Sequence, residues 1–366
     1  MALSNSSISM LVKKVILLFL VFLFVGCDHL EIERLLGFDV AIVDSVRTSD
    51  PLMPQKAAFL QTNLTSFMVL DSLVLAYQFD GDYYLLAYSI NSGEKILSLC
   101  QKGRGPSEFI TPAFFSPNGQ SVLLYDSATN EISEVNLSLS LRQNRTVIEK
   151  RVRINSGQKA STGLLSIWLL DESRVVAFNS GQGRDLLGTG LLHVPSYALY
   201  NYENGELMRE IPIFKDIPEN KRIKNQQYYI YNYSRTDCIS PDKKTVFFAM
   251  TTSPVYGLLD LDTGMVKGFR LDHEPGSRKD KYVVCFSDVC TNGQYIFALY
   301  YGCPMEDALD SSSFLMVIDW NGALIKKIPL GASFGSCRVN GDTLFLSKRN
   351  EIITDLYSLT INQIIQ

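Results

Sequence analysis

Phe314-Leu315-Met316-Val317-Ile318-Asp319-Trp320-Asn321-Gly322-Ala323-Leu324-Ile325-Lys326-Lys327-Ile328 is a β-hairpin written out in residues. Residues 314–318 are an apolar run of strand length, Asn321-Gly322 is a dipeptide that turns the chain, and a second run follows, ending on an aliphatic residue. The same turn class stands at Asn204-Gly205 and at Asp262-Thr263-Gly264, so that the three turns begin 58 and 59 residues apart. Asn91-Ser92-Gly93 is an earlier member. A second class precedes buried strands: Ser116-Pro117-Asn118-Gly119, Ser240-Pro241-Asp242, Asn292-Gly293 and Asn340-Gly341.

Between these turns lie short β-branched and aromatic runs at 73–77, 84–88, 122–125, 175–178, 246–250, 295–301 and 344–346, each too short for a helix. Strand-only self-similarity at a fixed period implies radial repetition: an all-β, six-bladed β-propeller of four-stranded antiparallel blades. The expected blades are 64–109, 110–152, 160–215, 234–272, 282–331 and 334–364. The last lacks an outer strand, and residues 38–46 are expected to supply it, closing the ring and removing exposed edges. A pair of β-sandwiches or a large barrel also alternates hairpins, but neither requires the period.

The N-terminus carries a separate message. Lys13 and Lys14 precede an apolar run over 15–25, closed by Gly26 and Cys27. This order is that of an export signal, and its apolar core is about half of the roughly 20 residues that span a bilayer. Leu23-Phe24-Val25-Gly26-Cys27 resembles the lipobox of bacterial lipoproteins, with Phe24 where Leu is commoner. The resemblance implies that Cys27 receives a diacylglyceryl group, that palmitate is among the attached acyl chains, and that the chain is anchored on the extracytoplasmic side of the inner or outer membrane. The resulting division is 1–26 lipoprotein signal peptide, 27–37 lipidated N-terminus and short tether, and 38–366 propeller domain.

A net charge of −4 gives no basic surface for nucleic acid. Besides Cys27 there are six cysteines, an even number that permits disulfides in an oxidising compartment. Cys238, Cys290 and Cys337 hold equivalent places before the second strands of blades four, five and six. A packing role is expected for them, because equivalent atoms on adjacent inner strands should be too far apart to bridge; pairing of Cys285 with Cys290 or Cys303 stays open. Three scattered histidines give no zinc pattern.

Lys102-Gly103-Arg104-Gly105-Pro106-Ser107-Glu108-Phe109 follows the first blade. With the lipobox and the blade pattern, the chain over about 38–364 resembles the TolB-like six-bladed propeller lipoproteins, in which a Gly-Arg-Gly-Pro-Gly-Glu-Phe type loop recurs here; Ser107 replaces one glycine. The resemblance implies a fold and no established activity. In physical terms Gly103 and Gly105 permit positive φ and Pro106 fixes the exit. Two readings of the charges stand: a crossover locked by an Arg104–Glu108 pair, or a ligand-facing loop offering Arg104 as a five-donor fork to a carboxylate or sugar acid.

Tyr228, Tyr229 and Tyr231, within an insertion before blade four, suit either peptide or glycan recognition or the packing of an outer strand. A second insertion over 181–194 is rich in Gly and Leu. Asp71, Asp126, Asp237 and Asp288 sit near strand ends, as turn residues or as channel-mouth calcium ligands. No nucleophile elbow or triad is spaced in the sequence. The expected function is a non-enzymatic binding module for a peptide, glycan or envelope protein, with no cofactor; the alternative is a calcium-dependent lactonase-like hydrolase or lyase.

Overall fold

The computed structural model describes residues 34–44, 46–60, 66–79, 81–155, 163–180, 194–215, 233–276, 282–349 and 354–366. Two strands precede the repeat, β1 (Val40–Val43) and β2 (Gln55–Leu60). Blade one is β3 (Ser66–Leu70), β4 (Leu73–Tyr77), β5 (Tyr83–Ser89) and β6 (Lys95–Gln101); blade two is β7 (Pro112–Asn118), β8 (Ser121–Asp126), β9 (Glu131–Asn136) and β10 (Ile148–Arg153). Helix α1 (Leu137–Gln143) is inserted before β10, capped by the Asn136 side chain.

Blade three is β11 (Leu164–Leu169), β12 (Arg174–Asn179), β13 (Ser196–Asn201) and β14 (Leu207–Pro212), and blade four is β15 (Arg235–Ile239), β16 (Thr245–Met250), β17 (Val255–Asp260) and β18 (Val266–Leu271). Blade five is β19 (Val283–Thr291), β20 (Tyr295–Pro304), β21 (Phe314–Asp319) and β22 (Leu324–Pro329). Blade six is β23 (Ser336–Asn340), β24 (Thr343–Arg349) and β25 (Thr354–Thr360) with β2, and a short helix α2 (Ile361–Ile365) ends the chain. Within the six blades every strand pairs antiparallel with its neighbour, as the turn spacing requires.

The second strands are apolar without alternation because each is covered on both faces. All six residues of β8 are buried, as are five of the six in β16. Apolar clusters fill every interface between blades, including Leu60, Phe67, Val74 and Leu356 between six and one, which closes the ring.

The repeated Asn-Gly and Asp-Thr-Gly turns join the third and fourth strands and dock on the preceding blade. A Cβ on Gly205 would lie 1.9 Å from the Arg153 carbonyl oxygen, and one on Gly322 would lie 2.1 Å from the Phe269 ring. Both residues also have positive φ, so glycine is required twice over. At two of these turns the preceding outer strand reaches over with a cation: Arg209 donates to the carbonyls of Asp262 at 2.7 Å and Thr263 at 2.8 Å, and Lys267 to that of Asn321 at 3.1 Å. The 58-residue period is the spacing of these contacts.

One expectation is overturned. The outer strand of blade six is β2, antiparallel to β25 and tied by the Lys56–Asp355 ion pair at 2.7 Å, rather than residues 38–46. Those residues instead add β1 as a fifth strand on blade four, parallel to β18. The physical reason is a fitted notch: Phe38 meets the Phe248 ring edge-to-face at 5.7 Å and lies where a Cβ on Gly268 would come within 2.5 Å of it. The N-terminal segment therefore runs along four outer rims in turn. Gly37 bonds Ile213 of blade three, β1 joins blade four, Ser49 and Leu52 bond Lys327 and Pro329 of blade five, and β2 completes blade six.

Candidate functional site: the groove between blades one and two

The loop after β6 is closed by its own backbone. Gly103 N–H donates to Phe109 at 3.0 Å and Phe109 N–H to Gln101 at 2.9 Å. The Glu108 carboxylate folds back inside the loop and accepts from Gly105 N–H at 2.7 Å. That carboxylate explains both glycines: a Cβ on Gly103 would lie 1.9 Å from Glu108 Oε2, and one on Gly105 would lie 3.0 Å from Glu108 Cδ. Gly103 has positive φ and Gly105 does not, so at Gly105 the reason for glycine is close approach rather than backbone sign.

The expected Arg104–Glu108 lock is thus absent, because Glu108 is engaged by the loop backbone. Arg104 is exposed and makes no hydrogen bond or ion pair among the described residues. It stands on the wall of a pocket of about 290 Å³ lined also by Glu108, Asp126, Thr129, Glu131 and Arg151. Across the loop a second pocket of about 340 Å³ is lined by Tyr83, Gln101, Pro106, Asn144 and Arg145, with Gly105 and Glu108 shared between the two. The two pockets meet at the loop, whose Gly105 and Glu108 line both, and together they are the groove between blades one and two.

The charges in the first pocket are mostly engaged. Asp126 is buried and accepts backbone N–H groups of Ile110 at 2.6 Å, Ala128 at 2.8 Å and Thr111 at 3.2 Å, which pins the crossover into blade two. Arg151 donates to Ser133 Oγ at 3.1 Å and to the Glu108 carbonyl at 3.3 Å, lies over the Phe109 ring at 5.2 Å, and faces Glu131 at 3.9 Å. Thr129 Oγ1 is buried and has no hydrogen-bond partner.

Asp237 and Asp288 come together elsewhere, at the axis. Asp237 pairs with Arg235, and its carboxylate also accepts from Ser166 at 2.7 Å and Tyr197 at 2.8 Å, linking blades three and four. Arg235 lies flat over the Phe178 ring at 3.4 Å. Burial pushes the Asp237 carboxyl above the usual carboxylate range against the opposing pull of Arg235. Asp288 pairs with Arg338 at 2.5 Å and accepts from Cys337 N–H at 3.0 Å, while Arg338 reaches the Phe67 carbonyl at 2.9 Å, joining blades five, six and one.

These carboxylates do not suit calcium, which gathers about six to eight oxygens. Asp237 and Asp288 each hold a guanidinium, Asp126 is occupied by amides, and Asp71 is an exposed turn residue. Among the described residues no three His, Cys, Asp or Glu side chains converge.

Cys238, Cys290 and Cys337 are on the innermost strands, buried and free; Cys285, also on β19, and Cys100, on the outer strand β6, are buried and free too. Cys290 and Cys337 pack in contact without a bond, their sulfurs 3.4 Å apart. Cys27, Tyr228, Tyr229, Tyr231 and residues 181–193 lie outside the described residues. Sequence reasoning passed over Arg151, Thr129, Arg235 and Arg338. The two axial arginines had a signal, since each lies one or two residues from an inner-strand Asp or Cys already singled out.

This crossover and the propeller around it can be set beside known proteins. Residues 53–163 match the TolB-like 6-blade propeller-like family. The TolB-like match spans β2, blades one and two and the whole Arg104 loop. A member of the DUF4221 family from Bacteroides vulgatus is 11% identical with a TM-score of 0.54, over 84% of this chain and 96% of that one. The calcium-binding protein regucalcin from Agrobacterium tumefaciens is 13% identical with a TM-score of 0.49, over 85% and 95%. BamB from Moraxella catarrhalis is 10% identical with a TM-score of 0.42, over 84% and 100%. At such identities the likeness is one of fold. No curated protein sequence matches the chain.

Proposed function

We propose that this chain is a lipid-tethered, extracytoplasmic binding propeller that holds a peptide or glycan bearing a carboxylate in the groove between blades one and two. The observation that carries the reading is Arg104. Its charged neighbours in the pocket have protein partners, whereas its guanidinium has none among the described residues and faces a concave space. A planar five-donor fork suits a carboxylate bidentately. Tyr83, Gln101, Asn144 and Arg145 extend the polar lining beyond the loop, which favours a ligand longer than one residue or sugar.

The tether rests on the lipobox-like stretch ending at Cys27, and no described helix is long and apolar enough to cross a membrane. Labelling cells with palmitate tests it: incorporation lost in Cys27→Ser supports the tether, and incorporation retained overturns it.

The ligand reading is tested on the full chain in detergent with arrays of acidic and neutral oligosaccharides and peptides, followed by titration calorimetry. Acidic ligands should be retained and Arg104→Ala should weaken them about 10- to 100-fold, the value of a charge-assisted bidentate contact. Arg104→Lys, a point charge, should recover only part. Acidic ligands held equally by Arg104→Ala would remove the reading.

A further inference from the structure

The axis of the propeller brings two thiols from different blades into contact. Cys290 lies in β19 opposite Phe297, and Cys337 lies in β23 opposite Leu346, on neighbouring innermost strands. Their sulfurs are 3.4 Å apart, and both side chains are buried. Their strands are also fastened together beside the pair. Asp288, two residues before Cys290, accepts the Cys337 N–H at 3.0 Å and the Arg338 guanidinium at 2.5 Å. One carboxylate thereby holds the strand of one thiol against the strand of the other.

We propose that Cys290 and Cys337 are joined by a disulfide in the mature protein, a covalent staple between blades five and six beside the axis. Closing the contact to a bond of about 2.05 Å moves the sulfurs about 1.4 Å together. The two thiols give up two protons and two electrons as the new S–S bond forms. These reduce the S–S bond of a disulfide oxidant, a small-molecule or protein dithiol in its oxidised form, to two thiols. The residues are 47 apart in sequence, so the staple closes a long loop, and by the chain-entropy account it stabilises the native state through the unfolded one.

Burial also governs when the bond forms. It pushes the Cys337 thiol well above its ordinary range, so the attacking thiolate is scarce once the ring has closed. Exchange therefore belongs to the folding chain, before blade six docks on blade five. Afterwards the bond is as inaccessible to reductant as the thiols are to solvent.

The test uses the full chain, unfolded and reduced, then refolded with oxidised glutathione as the probe, unfolded again in iodoacetamide and peptide-mapped without reduction. The expected product is a Cys290–Cys337 linked peptide, about 2 Da lighter than the two thiol peptides together and separated by dithiothreitol, with Cys238 and Cys285 alkylated. Cys337→Ser should leave Cys290 alkylated; if that variant does not fold, the wild-type map decides alone. Alkylation of both Cys290 and Cys337 in the refolded wild type, or a bridge from either to another cysteine, overturns the proposal.

Discussion

Replacing Asp237 by Ala should cost the propeller about 3–5 kcal/mol, the usual consequence of removing one partner of a buried ion pair. The side chains of Arg235 and Asp237 are 2% and 5% exposed, so the guanidinium left behind has no water to take over. It keeps Tyr197 Oη at 3.1 Å, Ser166 Oγ at 3.2 Å and the Phe178 ring, all neutral groups, while the Ser166 and Tyr197 hydroxyls lose the acceptor they shared. At about 1.4 kcal/mol per decade the folded-to-unfolded ratio falls by two to three and a half powers of ten. Urea unfolding followed by the fluorescence of Trp168 and Trp320 measures this. Pairing Asp237→Leu with Arg235→Met should recover most of the loss, because an apolar pair needs no charge compensation. The pH dependence adds a second arm. With the folded carboxyl raised above its unfolded value, the folded state holds the proton more tightly. Its stabilising effect is then full below the unfolded value of about 3.9 and is lost as pH rises through the folded one. Arg235→Gln removes the opposing charge and raises the folded value further, so that variant should be less destabilised at about pH 4 than at about pH 8. A loss under about 1 kcal/mol in Asp237→Ala, or equal destabilisation of Arg235→Gln at both pH values, would show that the pair does not act as a buried ionic link.

Gly322→Ala should destabilise by about 2–4 kcal/mol, because the methyl meets the Phe269 ring and the backbone has φ of +90°, whereas Gly119→Ala, with φ of +57° and nothing within 4 Å, should cost only the roughly 1–2 kcal/mol of the left-handed conformation. Thermal melts of the two variants make the comparison. A chain lacking residues 1–61 loses β2, leaving β25 as an unpaired edge and Leu356 uncovered. It should sediment as aggregate and give no cooperative melt; a monomeric, cooperative species would show that the N-terminal segment is dispensable.

The fold was legible because one turn class keeps a near-constant spacing and the strands between the turns keep their apolar runs. The turns between third and fourth strands need glycine to meet the previous blade, and the second strands need continuous apolar runs to be covered on both faces. Neither requirement applies to the strand that closes blade six. Gln55–Leu60 is a mixed sequence with no turn partner nearby, whereas 38–46 has the apolar character expected of an outer strand and uses it on blade four instead. The notch over Gly268 that decides between them lies more than two hundred residues away. The axial charge pairs were half legible for a similar reason: each aspartate was visible near a strand end, but its guanidinium identifies itself only when the inner strands are brought around a common centre. At the crossover loop the glycines were read correctly as necessary, and one of the two for the wrong cause, since a folded-back carboxylate leaves no periodic trace.

The same accounting of edges and charges locates the groove. At the axis the described charge pairs, Arg235–Asp237 and Arg338–Asp288, satisfy one another. The rims of blades three to six carry the N-terminal segment, which takes up backbone groups that an incoming strand would need. Blades one and two keep β6 and β10 as sheet edges. Of these β10 reads Ile-Glu-Lys-Arg-Val-Arg, a charged edge of the kind that discourages strand addition. What blades one and two offer instead is a concave polar surface between them, built around a loop whose own carboxylate is held by its backbone. Arg104, without a partner among the described residues, is not needed to hold the loop, which is already closed by the Gly103–Phe109 and Gly105–Glu108 hydrogen bonds, and the ligand proposed for the groove draws on that guanidinium.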